Sequence, residues 1–211
     1  MADRAVVFID GNNWYHSIKD LGLQDLGRLD YGKISRKLVG PRTWTATRYY
    51  IGQVRQNDNA ALYAAQRRFL SALQATDRRI STHLGRLENR PVESAAAKEL
   101  LHYLATLQVR IDPTLYHDLI QIGRRHRKST TLVEKAVDVM LAVDMVVMAE
   151  RREFDAAYLL SADGDFTPAV RAVRDCGLKV YAASPAAGAQ LAAVTNSFIR
   201  LNREWFDDCY G

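Results

Sequence analysis

Apolar and polar positions along this chain follow two different periods, and the changes of period mark its elements. "AVVFID" (5–10) is an unbroken, β-branched apolar run that ends at Asp10 and is stopped by Gly11. A short run without alternation predicts a parallel strand buried on both faces. The same reasoning places strands at "ATRYYIG" (46–52), "RISTHLG" (79–85), "AAYLLSA" (156–162), "KVYAAS" (179–184) and "SFIRL" (197–201). Between them the apolar spacing lengthens to that of a helix. "NNWYHSIKDLG" (12–22) is helical, with Gly22 as its stop. Residues 57–74 form an amphipathic helix that Asn57 or Asp58 can cap, with Leu62, Ala65, Phe69, Leu70 and Leu73 as its buried stripe. Further helices are predicted at 132–154, 165–177 and 186–196. Pro168 is tolerable only in a first turn, so its helix starts at Asp165 or Phe166.

Strand–helix alternation of this kind predicts an α/β fold with a mainly parallel central sheet flanked by helices and right-handed crossovers. Residues 86–133 break the rhythm. "ESAAAKELLHYLATLQ" (93–108) and "PTLYHDLIQIG" (113–123) are helical by propensity, so this block reads as a mainly helical insertion in a single domain spanning 1–211.

Composition narrows the setting. A content of 48% hydrophobic and 25% charged residues is that of a globular chain able to bury a core. No apolar run reaches the roughly 18 residues of a membrane helix. The N-terminus carries Asp3 and Arg4 before only five apolar residues, which argues against a secretory signal. Cys176 and Cys209 form no CxxC pattern, so reduced thiols in a cytoplasmic protein are the expectation. The net charge of +5 favours a polyanionic partner only weakly. Its distribution says more: "GRRHRKS" (123–129) gathers Arg124, Arg125, Arg127 and Lys128 without an acid. The run is either a solvated face or a phosphate contact.

The acids carry the chemistry. In an open parallel sheet, ligands bind at the carboxyl ends of the strands. Asp10 ends the first strand, and Asp163 and Asp165 follow the strand at 156–162, so all three face one edge. The helix leading into that strand carries Asp138 and Asp144. Six residues separate these two by about 9 Å along the axis and about 120° around it, so they do not share a face. Each acid also has a plainer reading: Asp10 as a turn residue, Asp138 and Asp165 as helix caps. Asp144, on a largely apolar segment, is harder to explain that way. Carboxylates converging on one edge repel unless a cation joins them, and oxygen donors without a His/Cys cluster select Mg²⁺ or Mn²⁺.

"VVFIDGNNWYHS", "KAVDVMLAVDMVVMA" and "YLLSADGDFTPAVRAVRDCGLKVYAAS", in this order, resemble the NYN family of PIN-like nucleases, specifically its LabA-like bacterial branch. The resemblance covers about 5–52 and 132–201. It implies a Rossmann-like PIN fold and a metal-dependent ribonuclease site at Asp10, Asp138, Asp144, Asp163 and Asp165, with Asn13 as a polar helper and RNA as partner. Ala162 stands where the family usually has glycine. On this reading Asp10, Asp144 and Asp163 bind the metal directly, Asp165 and Asp138 act through water, and Asn13 either touches a phosphate oxygen or caps its helix. Ser161 reads as small-residue packing. Trp14, Tyr15, Tyr49 and Tyr50 are either core or stacking platforms for bases. Arg124, Arg125, Arg127 and Lys128 are expected to neutralise substrate phosphates, and a homo-oligomer stays open. Two rivals remain: an RNA-binding regulatory module without catalysis, and a phosphatase-like hydrolase with Asp10 as nucleophile. The second would want an acid where Asn12 stands.

Overall fold

The computed structural model describes residues 3–23, 26–107 and 112–211, and the side chains of these residues outside 88–92 and 128–135. The chain divides into two compact units, one formed by 1–86 with 135–211 and the other by 87–134.

The first unit is the α/β body. Strand β1 (Arg4–Asp10) leads into α1 (Gly11–Asp20), then α2 (Tyr31–Val39), β2 (Thr43–Gln53), α3 (Ala60–Thr76) and β3 (Ile80–Glu93), which runs on into the second unit. The body resumes with α6 (Val137–Glu150), β5 (Ala156–Leu160), α7 (Thr167–Asp175), β6 (Lys179–Ser184), α8 (Ala189–Val194) and β7 (Ser197–Arg200). Its strands lie in the order β3-β2-β1-β5-β6-β7, and every pairing is parallel. The chain builds outward from β1 through β2 to β3, then returns to the other side of β1 as β5. The gap between β1 and β5 is therefore the switch point in strand order, where neighbouring crossovers leave on opposite faces.

β1 is buried from Ala5 to Asp10 because both its faces are covered. Val7 and Ile9 join one core cluster with Trp14, Ile18 and Ile34, while Val6 and Phe8 join the other with Leu141, Met145 and Val170. Burying a side chain such as Phe8 or Ile9 fully is worth about 1.5–3 kcal/mol, so this strand anchors both layers. On α6 the buried residues Val137, Leu141, Met145 and Ala149 recur every four positions and form one stripe. Asp138 and Asp144 flank that stripe on opposite sides.

The second unit holds α4 (Ala95–Leu107), α5 (Pro113–His126) and most of β4 (Lys128–Lys135), which neighbours β3. Ser94 caps α4 and Asp112 caps α5. Gly123 allows the two helices to approach closely, since a Cβ there would stand 2.8 Å from Leu101 Cδ2.

The structure departs from the sequence reading at several points, among them the block 86–133 expected as mainly helical, where β3 runs on to Glu93 and β4 covers Lys128–Lys135. The helix expected from 132 begins only at Val137, because 132–135 belong to β4. Helix α2, not foreseen, is capped by Asp30 and stopped by Gly40, whose φ is 64°. Helix α3 starts after Asn59, whose side-chain oxygen forms the cap in place of Asn57 or Asp58, and Leu62 is 45% exposed rather than buried. Among the described residues, no helix is long and apolar enough to cross a membrane. Cys176 and Cys209 are both free thiols.

Candidate functional site

The turn out of β1 fixes the first acid. Asp10 is the N-cap of α1, and its Oδ1 accepts the Asn13 backbone N–H at 3.2 Å. Gly11 follows because nothing larger fits: a Cβ would lie 2.6 Å from both the Tyr49 ring and the Tyr50 carbonyl oxygen. On the other side of the switch point, Ile9 pairs with Leu160, which brings the end of β5 beside Asp10. There the Ser161 hydroxyl donates to Asp10 Oδ2 at 3.0 Å and accepts the Asp163 backbone N–H at 3.1 Å. Asp163 Oδ1 in turn accepts the Asp165 N–H at 2.9 Å, capping the short 3-10 turn Gly164–Phe166. Asn13 closes the ring, its Oδ1 accepting the Ala162 N–H at 3.1 Å.

This chain of bonds leaves Asp10 buried and Asp163 half-buried, with Asp138 and Asp165 exposed around them. Burial pushes the Asp10 carboxyl up to about 6. The hydrogen bonds from Asn13 and Ser161 pull against that rise, and the charges of Asp138 and Asp163 add to it. The Asp138 carboxyl is also raised, first by desolvation and then by Asp163 and Asp165. Asp138, Asp163 and Asp165 thus each act electrostatically on Asp10 or on Asp138. The charges acting on Asp10 and Asp138 are carboxylates.

Asp144 is elsewhere. Arg48 Nη2 donates to its Oδ2 at 2.6 Å, and the Tyr50 hydroxyl donates to the same oxygen at 2.8 Å. Arg48 Nε also donates to the Tyr50 hydroxyl at 2.7 Å, and His83 stacks on the Tyr50 ring at 4.7 Å. Burial pushes the Asp144 carboxyl up, but the bonds from Arg48 and Tyr50 outweigh it and hold the group below the usual carboxylate range. The expectation has Asp144 binding the metal directly and Asp138 acting through water; the surroundings of the two differ in the other sense. Asp138 joins Asp10, Asp163 and Asp165, while Asp144 is neutralised by an arginine on β2.

Other expected residues are placed as follows. Asn13 spends its side-chain oxygen on Ala162, a bracing role, and the cap of α1 is Asp10. Trp14, Tyr49 and Tyr50 are core residues; Tyr15, 46% exposed, is the member of that aromatic set that faces solvent. Ser161, read as packing, is the hinge of the hydrogen-bond chain. In the second unit, Arg124 and Arg125 are exposed in the last turn of α5, where cations suit the helix dipole. Arg127 caps that helix and its Nε donates to Glu93 at 2.7 Å. Lys128 opens β4, and its side chain lies outside the described residues.

Whether the acid group suits a metal can be tested on its chemistry. Hard oxygen donors that repel one another fit Mg²⁺ or Mn²⁺ and do not fit a zinc shell of nitrogen and sulfur. Among the described residues, however, no three His, Cys, Asp or Glu side chains converge tightly enough to hold an ion as they stand. The donor type fits; the shell is not drawn together.

The sequence matches the family model of the NYN domain over residues 4–202. No curated protein matches it. Among solved structures, the fold resembles a crystal structure of a protein of unknown function from Vibrio parahaemolyticus, with a TM-score of 0.59 at 16% identity over 96% of this chain and 95% of that one. At that identity the likeness extends to the fold alone.

Proposed function

The chain belongs to the NYN domain family, and from that premise we propose that it is a metal-dependent ribonuclease hydrolysing RNA phosphodiester bonds at Asp10, Asp138, Asp163 and Asp165. The family implies a PIN-like nuclease fold. The observation that supports the finer reading is the buried Asp10 carboxyl, pushed up to about 6 first by burial and then further by repulsion from the neighbouring Asp138 and Asp163. A protein has little reason to keep that repulsion unless a cation relieves it.

These four carboxylates would hold Mg²⁺ or Mn²⁺. Such an ion, when bound, supplies the positive charge that attracts a phosphate and acidifies an attacking water. The chain's own contribution is positioning. Asn13 and Ser161 hold Asp10, Ser161 also holds Asp163 through its backbone, and the 3-10 turn fixes Asp165. Asp138 and Asp165, being exposed, present their oxygens to an incoming strand. Asp144 serves the fold of this site rather than the ion. Arg124, Arg125, Arg127 and Lys128 supply sequence-independent attraction for the RNA backbone.

Labelled single-stranded RNA and DNA, incubated with Mg²⁺, Mn²⁺ or EDTA, test the reading. RNA should be cut in either metal and spared in EDTA or by Asp163→Asn. Cutting that persists in EDTA overturns it, and binding without cutting in every metal favours an RNA-binding module. Alanine at all four basic positions should flatten the salt dependence of RNA binding, by about 0.7 in log–log slope for each phosphate no longer neutralised.

A further inference from the structure

A groove runs away from the acid group between the start of α7 and the outer face of α8. Its volume is about 510 Å³, within the roughly 300–1,000 Å³ of clefts that hold small ligands. One wall carries Gly164, Asp165, Thr167 and Arg171; the other carries Gln190 and Val194. The walls are tied together, because Arg174 Nη1 donates to the Val194 carbonyl at 2.7 Å. That bond also satisfies a carbonyl at the C-terminus of α8, where a cation is favoured.

Two exposed polar side chains lining the groove, Arg171 and Gln190, and one buried hydroxyl behind it have no protein partner among the described residues. Thr167 Oγ1 is buried without a hydrogen bond. Arg171 is exposed on α7, one turn beyond Thr167, with no carboxylate paired to it. Gln190 lies across Gly164, where a Cβ would come within 2.6 Å of its Cδ. The Gln190 amide therefore lies directly on the turn that presents Asp163 and Asp165. An amide and an unpaired guanidinium along one groove match a phosphorylated sugar better than any apolar ligand.

We propose that this groove seats one nucleotide of the RNA strand next to the cleaved bond, with Arg171 on its phosphate and Gln190 on its sugar or base edge. The proposal rests on the ribonuclease reading above and adds the place where the strand leaves the acid group. Position decides the orientation. The scissile phosphate belongs at the acid group, so the next phosphate along the strand falls to Arg171 at the far end, and Pro168, Ala193 and Val194 offer apolar surface to the base or ribose between them. Arg171 and Gln190 are positioning residues on this assignment: they hold the strand and leave the chemistry to the carboxylates.

The test is RNA binding by fluorescence anisotropy in EDTA across a salt series, with cleavage kinetics in Mg²⁺ alongside. Both use the full chain and a single-stranded oligonucleotide. Arg171→Gln, an exposed substitution that does not threaten folding, should weaken binding severalfold and reduce the log–log salt slope by about 0.7, one phosphate on a single strand. Its KM should rise while kcat stays near wild type. Gln190→Ala should weaken binding without changing the slope. Shortening the oligonucleotide until the flanking nucleotide is gone should abolish the difference between Arg171→Gln and wild type. Cleavage by wild type with an unchanged Kd and slope in Arg171→Gln overturns the groove alone. Wild type that binds RNA but never cuts it overturns the ribonuclease reading, with the groove still judged from the slope. Wild type that binds no RNA overturns both.

Discussion

Two carboxylates on one helix, six residues apart, have opposite electrostatic fates. Asp138, in the first turn of α6, faces other acids and has its carboxyl raised. Asp144, less than two turns on, meets Arg48 and Tyr50 and has its carboxyl lowered. Residue type, element and spacing from the buried stripe are nearly the same; the partner across the sheet differs. An acid left among acids keeps its charge uncompensated by the protein, whereas an acid matched to an arginine is neutralised within the fold. The contrast teaches that acids alike in sequence context can differ in charge balance through a partner far away in the chain.

The sharpest way to break this comparison is activity. Asp138→Asn should cost more than the roughly 10- to 100-fold typical of residues that only support a metal site, and Asp144→Asn no more than about tenfold. Steady-state cleavage with both variants decides; the reverse ranking would return Asp144 to the acid group. The next effect is in pH. Because the Asp10 carboxyl is raised to about 6, the folded protein holds that proton more tightly than the unfolded chain. Its contribution is favourable at low pH and fades as pH climbs from about 4 to about 6, by up to about 3 kcal/mol. Asp144, lowered, contributes in the opposite sense: its share is present above the ordinary carboxylate range and is lost as pH falls below about 4. Denaturant unfolding in EDTA between pH 4 and 7 should show wild type losing stability relative to Asp10→Asn as pH rises.

A smaller effect separates the two acids by stability. Asp144→Asn should cost about 1–2 kcal/mol, as its ion pair with Arg48 is mostly sheltered from solvent, with side chains 30% and 24% exposed. Asp138→Asn should leave the melting temperature of the metal-free protein unchanged or slightly higher. Least of all is Ala136→Gly. Ala136 begins α6 in the left-handed region, with φ of 68°, so glycine there should stabilise by up to about 1 kcal/mol. Since Ala136 precedes both acids, this variant should leave the ratio of their effects intact.

How far the sequence discloses these features depends on whether the deciding partner is near in the chain. β1, β5 and β6 are plain in their apolar runs, because strands buried on both faces need no alternation. The break before α6 is hidden for a physical reason: it falls on Ala136, the residue type with the highest helix propensity, so the pattern from Leu132 reads straight through it. Helix α2 is signalled by Asp30 and Gly40 at its ends, a cue available in the sequence. At the site, the five acids are visible as a pattern, but which α6 acid joins the others is settled by Arg48, 96 residues away from Asp144. Spacing gives only the angle between the two acids. Ser161 could have been found as the one polar side chain between an apolar run and the "DGD" turn.

The bonds that assemble the acid group also set when it can exist. Asn13 reaches Ala162 across 149 residues of sequence, and Ser161 reaches Asp10 across 151. Such distant closures form late, after the intervening chain has collapsed. On the ribosome, β1 and α1 emerge well before β5, so Asp10 has no Ser161 and no Asp163 until synthesis has passed the turn that follows β5. A nascent or prematurely terminated chain therefore carries its first aspartate without the rest of the site. The acid group is thus a product of the completed fold of this body, and neither of the two segments that supply it carries it alone.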